Sequence, residues 1–141
     1  MFLPDINFWL ALSFEQHLHH PVAKRWFQSS TEPHLFCRVT QQGFLCLATS
    51  QHIFAEDTKT LVEAWRMWDE VLSDYRVGFV NEPASLESIW RSYTQQKSFA
   101  HKLWNDAYLA AFAKTSDLEL VTFDKGFAQF PDLKHHLLSA I

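Results

Sequence analysis

Short apolar runs alternate along the chain with longer stretches in which apolar residues return every three or four positions. The runs "MFLPD", "HLFCRV", "YRVGFV" and "LELVTFD" are brief and rich in Phe, Val and Leu, as buried strands are. The stretches between them predict helices over residues 6–13 and 21–29, parted by the polar "EQHLHH" and Pro21. Further helices are predicted over 41–49, capped by Thr40, and over 58–73, with Leu61, Ala64, Trp65, Trp68 and Leu72 on one face. Pro83 suits the first turn of a helix reaching about Tyr93, and 100–115 is the last helix. The C-terminal "DLKHHLLSAI" suits a final strand. This alternation predicts an α/β sandwich with a mainly parallel sheet, as a single domain over 1–141.

Folds of this class gather ligands beyond the carboxyl ends of their strands. "MFLPD" ends on Asp5 and "LELVTFD" on Asp124, so both carboxylates are expected at one edge of the sheet. A third aspartate, Asp106, sits beside the stripe Phe99, Leu103, Ala107 and Ala110 of the last helix, whose alanines allow a close approach to the sheet. Taken singly, Asp5 and Asp124 also suit turn or cap residues, and Asp106 also suits an ion pair with Lys102. Taken together, three gathered carboxylates repel one another unless a hard divalent cation lies among them. Such an ion, Mg²⁺ or Mn²⁺, polarises a phosphodiester and acidifies a bound water.

Charge and composition narrow the alternatives. A formal net charge of -4 gives no broad electrostatic attraction for nucleic acid, so any such role rests on ions or local basic groups. Lys24, Arg25, Arg91, Lys97 and Lys102 are the candidates for RNA phosphates, with Arg91, Lys97 and Lys102 nearest in sequence to Asp106; ordinary surface charge is the plainer reading of all five. No apolar stretch approaches the roughly 20 residues of a membrane span, and no secretory signal is visible. Cys37 and Cys46 read as two buried thiols of a cytoplasmic protein. His17, His19, His20 and the pair His135–His136 lack zinc-site spacing and read as solvated histidines. With three glycines the chain has no glycine-rich phosphate loop, and it carries no Ser or Cys nucleophile motif. The tryptophans of "EAWRMWDE" read as core, with part of the segment available to a partner.

"PDINFWLAL", "CRVTQQGFL", "NDAYLAAFA" and "LVTFDKGF" resemble, in that order, the motifs of PIN-domain ribonucleases, and in particular those of VapC toxins from bacterial type II toxin–antitoxin systems. The likeness runs over roughly residues 2–130. It implies a three-layer α/β/α fold, a metal-dependent endoribonuclease acting on structured RNA of the tRNA or rRNA class, a homodimer, and silencing by a VapB-type antitoxin. By position, Asp5, Asp106 and Asp124 match the family's metal-holding acids, while Asn7 and Thr122 match polar residues that orient carboxylates or water. Asn7 also suits a helix start and Thr122 a plain strand position. The chain departs from the family pattern where "TQQGF" replaces "T-E-N-G-F", so Gln41 stands at the second acidic position, and where Gly126 replaces a frequent acid. Gln41 is either a neutral member of the pocket or a helix residue with no catalytic part.

Two rivals to the nuclease stay open. One is a PIN-like module, weakened at Gln41 and Gly126, that binds antitoxin or RNA without efficient cleavage. The other is a phosphorelay receiver, which wants an acidic pair after the first strand and a phosphoacceptor Asp after the middle one; the chain has neither.

Overall fold

The structure, a computed structural model, describes residues 1–139. Its strands are β1 (Phe2–Pro4), β2 (His34–Phe36), β3 (Val77–Phe79), β4 (Glu119–Thr122) and β5 (His135–Leu137). The helices are α1 (Ile6–Ser13), α2 (His20–Ser29), α3 (Arg38–Ala48), α4 (Gln51–Phe54), α5 (Leu61–Leu72), α6 (Leu86–Tyr93) and α7 (Leu103–Thr115). All neighbouring strands are parallel, in the order β3-β2-β1-β4-β5. The chain steps outward from β1 to β3, then crosses back to β4 and β5. The direction of winding therefore reverses between β1 and β4, where an open α/β sheet leaves a crevice.

Alternation along the strands divides the core into two layers. Phe2 and Val121 join the cluster formed with α1, α2, α3 and α5, whereas Leu3 and Leu120 join that of α6 and α7. Ala107, Ala110, Ala111 and Ala113 of α7 are fully buried, and their small side chains bring that helix close to the sheet. Helices on both faces of a five-stranded parallel sheet make the expected α/β/α sandwich. The final strand is His135–Leu137; Ala140 and Ile141 of the predicted segment lie outside the described residues.

Several boundaries and faces differ from expectation. Helix α3 begins three residues early because Cys37, not Thr40, is its cap; Thr40 instead folds back to accept the Cys37 N–H at 3.0 Å. Helix α7 starts at Leu103, so Phe99 lies in the preceding loop, fully exposed rather than in the buried stripe. On α5 the buried line runs through Ala64 and Trp68, while Leu61, Trp65 and Leu72 fall on its exposed flank beside Val62. Cys37 is buried as expected, but Cys46 is exposed.

One buried polar group is unusual. His34 of β2 has no exposed surface and lies among the rings of Phe2, Phe8 and Phe27. Its Nε2 accepts the Trp26 indole N–H at 3.2 Å, and its Nδ1 meets the Glu32 carbonyl at 3.1 Å. These contacts assign the proton to Nδ1 and leave no room for a second. Burial pushes the imidazole down to about 4, although the Glu32 carbonyl pulls the other way.

Candidate active site

Asp5 is the first residue after β1, and its N–H donates to the Val121 carbonyl of β4 at 2.9 Å. The carboxylate caps α1: Oδ1 accepts the Phe8 N–H at 3.0 Å. Oδ2 accepts the Thr122 hydroxyl, whose oxygen in turn accepts the Asp124 N–H at 2.9 Å. Thr122, fully buried at the end of β4, thus ties the first aspartate to the backbone of the last across the winding reversal. Asp124 starts a 3-10 turn over Lys125–Gln129 and accepts the Gly126 N–H at 2.8 Å. Asp106 stands in the first turn of α7, where the helix dipole favours a negative charge.

These elements enclose an open cavity of about 440 Å³ lined by Asp5, Asn7, Asp106 and Asp124. Asn105 of α7, with Gln42 and Cys46 of α3, completes its polar wall. A Cβ on Gly43 would lie 2.8 Å from Ile6 Cγ1, so glycine there lets α3 close against the first turn of α1.

The electrostatics are those of crowded acids. Asp5 is only 6% exposed, and burial pushes its carboxyl up to about 6 despite the hydrogen bonds from Thr122 and Phe8. The charges of Asp124 and Asp106 push it the same way. Burial, then the charge of Asp124, raises Asp106 as well, and Lys102 opposes the rise. Among the described residues, no three His, Cys, Asp or Glu side chains sit close enough to hold a metal ion as they stand. The donor set nonetheless suits a hard cation: three oxygen-donor side chains face one cavity, and two of them are held above their ordinary range partly by a third.

The other predicted residues separate. Asn7 lines the cavity from α1, while the hydrogen bond to Asp5 comes from Thr122. Gln41 does not line the cavity. It is buried beside it, its Oε1 accepting an Arg38 N–H, and the next residue, Gln42, takes the cavity wall. With 100° per residue, the stripe Val39, Gln42, Gly43 and Cys46 faces inward and position 41 falls outside it. Gln42 and Asn105 were not expected here, and Cys46 was expected as a buried thiol rather than as cavity wall; the only signal for Asn105 was its place next to Asp106. None of Arg91, Lys97 and Lys102 lines the cavity: Arg91 pairs with Glu87 at 3.1 Å on α6, Lys97 lies in the α6–α7 loop, and Lys102 immediately precedes α7. Lys24 and Arg25 are exposed on α2. His17, His19 and His20 are half-buried, not free in solvent: His19 stacks on Phe123 at 4.5 Å, and His20 Nδ1 meets the Ala11 carbonyl at 2.8 Å.

Thr122→Val tests the bridge. It keeps the strand residue's shape and removes the donor to a buried carboxylate, so stability should fall by about 2 kcal/mol at neutral pH. Urea titration measures the loss, and an unchanged midpoint would show that the Asp5–Thr122 contact carries no weight.

Comparison with known proteins agrees with this fold. The family model for the PIN domain matches residues 2–133. Ribonuclease VapC41 of Mycobacterium tuberculosis is 39% identical over 99% of both chains. The crystal structure of M. tuberculosis VapC20, described as a sarcin-ricin loop cleaving toxin, superposes with a TM-score of 0.69 at 20% identity, covering 95% of this chain and 99% of that one. VapBC2 from Rickettsia felis, solved bound to a DNA fragment from its promoter, gives 0.73 at 12% identity over 98% of both chains. These two structures share the fold with this chain. With the family match spanning nearly its whole length, the chain belongs to the PIN-domain family, and within it to the VapC ribonucleases.

Proposed function

We propose that this protein is a divalent-metal-dependent endoribonuclease toxin, held in check by a VapB-type antitoxin. The observation that carries the reading is the meeting of Asp5, Asp106 and Asp124, from three distant parts of the chain, on one cavity at the winding reversal. A cation bound by these carboxylates, Mg²⁺ or Mn²⁺, would supply positive charge to the scissile phosphate and acidify the attacking water. The chain's own residues prepare that place. Thr122 and the Phe8 N–H hold both Asp5 oxygens in a fixed orientation, and the helix N-terminus holds Asp106. Asn7, Asn105 and Gln42 offer amides to RNA or water at the rim. The likeness to a VapC ribonuclease, to a sarcin-ricin loop cleaving toxin and to a VapBC complex supports an RNA substrate of the structured tRNA or rRNA class, and the partner. The exposed flank of α5, with Leu61, Val62 and Trp65, is the apolar surface suited to the antitoxin or to a second copy in a homodimer.

Purified protein should cleave RNA with Mn²⁺ or Mg²⁺, stop in EDTA, and lose at least about 100-fold in rate as Asp106→Asn. Cleavage untouched by chelation and by the substitution would exclude the metal mechanism. A second reading, a module that binds without efficient cleavage, is favoured by one feature: Gln41 is tied to Arg38, so the second acidic position of the family contributes no charge to the cavity. Calorimetric titration with Mn²⁺ separates the two, because a module lacking a working site takes up no ion specifically.

A further inference from the structure

Across the first turn of α7 from the acidic cavity is a second hollow of about 190 Å³. Asn105 and Asp106 line the first; Leu103 and Trp104 line the second, with Ser98 and Phe99 of the preceding loop. Phe99 is 100% exposed and Trp104 57%. Two large aromatic side chains presented together on one hollow make an apolar patch of the kind that marks an interaction site. Trp104 is braced: Trp90 meets it edge-to-face at 6.1 Å and donates its indole N–H to the Trp104 carbonyl at 3.1 Å. The loop leading into α7 is basic. Residues 94–105, "TQQKSFAHKLWN", hold Lys97, His101 and Lys102 and no carboxylate, in a chain where acids outnumber bases 16 to 12.

We propose that this hollow is a stacking subsite for an unpaired nucleotide of the RNA substrate, on the flank of α7 opposite the carboxylates. One base lies against Trp104 and Phe99, and Lys97 and Lys102 meet the flanking phosphates. Every base has a π-face, so the subsite grips an unpaired strand without reading its sequence. It thereby selects loops and splayed segments over continuous duplex, whose bases are stacked on each other. The inference rests on the ribonuclease reading above and adds to it where the substrate strand lies.

Fluorescence anisotropy with a labelled mixed-sequence 12-mer RNA, in EDTA to prevent cleavage and over a range of salt, tests the subsite. Phe99→Ala and Trp104→Ala should each weaken binding at least about fivefold at every salt concentration, and Trp104→Phe should restore most of it. Lys97→Ala with Lys102→Ala should instead flatten the salt dependence, lowering the log–log slope by about 1.4. A 12-mer with abasic positions should bind wild type and Trp104→Ala alike. Aromatic variants that bind the intact 12-mer like wild type would overturn the inference, as would an abasic strand that binds wild type as tightly as the intact one. An oligoglutamate peptide that competes equally, with the same dependence on Trp104, would overturn it in favour of an acidic protein segment. If wild type cleaves RNA with Mn²⁺ while the aromatic changes alter neither binding nor cleavage, the subsite alone fails. If wild type neither binds nor cleaves RNA, the ribonuclease reading fails and takes the subsite with it.

Discussion

Asp5→Asn should make the metal-free protein more stable by about 3 kcal/mol at pH 7.5 while removing its nuclease activity. The gain follows from the carboxyl's rise from 3.8 to about 6 on folding. Between these values the folded protein holds a proton that the unfolded chain has lost, so stability falls as pH climbs through the window. Above it, the native state carries the full cost of a buried, charged carboxylate with two other acids nearby. Asparagine removes the charge, keeps an oxygen for the Phe8 N–H, and presents an amide N–H that the Thr122 hydroxyl oxygen can accept in place of donating. At pH 3 both forms are neutral at this position and the gain should vanish. Cation binding should reverse the ranking: at 1,000 times Kd, Mn²⁺ stabilises wild type by about 4.1 kcal/mol and should leave Asp5→Asn unmoved. Urea titrations at the two pH values, with and without Mn²⁺, together with an RNA cleavage assay, test all of this. An Asp5→Asn protein no more stable than wild type at pH 7.5 would refute the buried-charge account.

Wild type should show an almost flat stability profile between pH 4 and 6, and single substitutions should expose two steep limbs beneath it. His34 works against Asp5. Its folded value of about 4 lies below the ordinary 6.5, so the unfolded chain takes the proton first and stability falls as pH drops through that interval. The amplitude is about 3 kcal/mol, similar to that of Asp5 and opposite in sign over an overlapping range. Asp5→Asn should expose the acid-labile limb of His34, opposed then by Asp106, whose carboxyl is also raised. His34→Asn retains a donor for the Glu32 carbonyl but gives up the acceptor for Trp26; it should be less stable throughout and leave the limb of Asp5. Thermal midpoints at half-unit pH steps for the three proteins would reveal the crossing, and parallel profiles would rule out the opposed pair.

Much of the fold was legible because parallel strands buried on both faces are continuously apolar, and the helices between them carry a clear period. The three aspartates were legible for a related reason: an acid at the end of such a strand, or beside a stripe of alanines, stands out against its surroundings. What escaped was finer than one turn. Gln41 drew attention by its place in a motif, yet the cavity takes Gln42, because the cap at Cys37 sets the phase of α3 and each residue then rotates the face by 100°. Phe99 fits the helical stripe on paper, but α7 begins four residues later and leaves it in solvent. The face expected on α5 had the right period and was turned too far, so Trp65 and Leu61 look outward.

By itself the sequence determined the local facts: which runs extend, which coil, and which two strands end in a carboxylate. Those follow from periodicity and from the cost of placing a polar group in an apolar run, both read over a few residues. Tertiary structure alone decided that Asp5 and Asp124 end on strands joined through Thr122, that Asp106 completes the cavity from α7, and that His34 is sealed among aromatic rings. Such properties depend on distances between residues over a hundred positions apart, and on the exclusion of water by side chains from several elements at once.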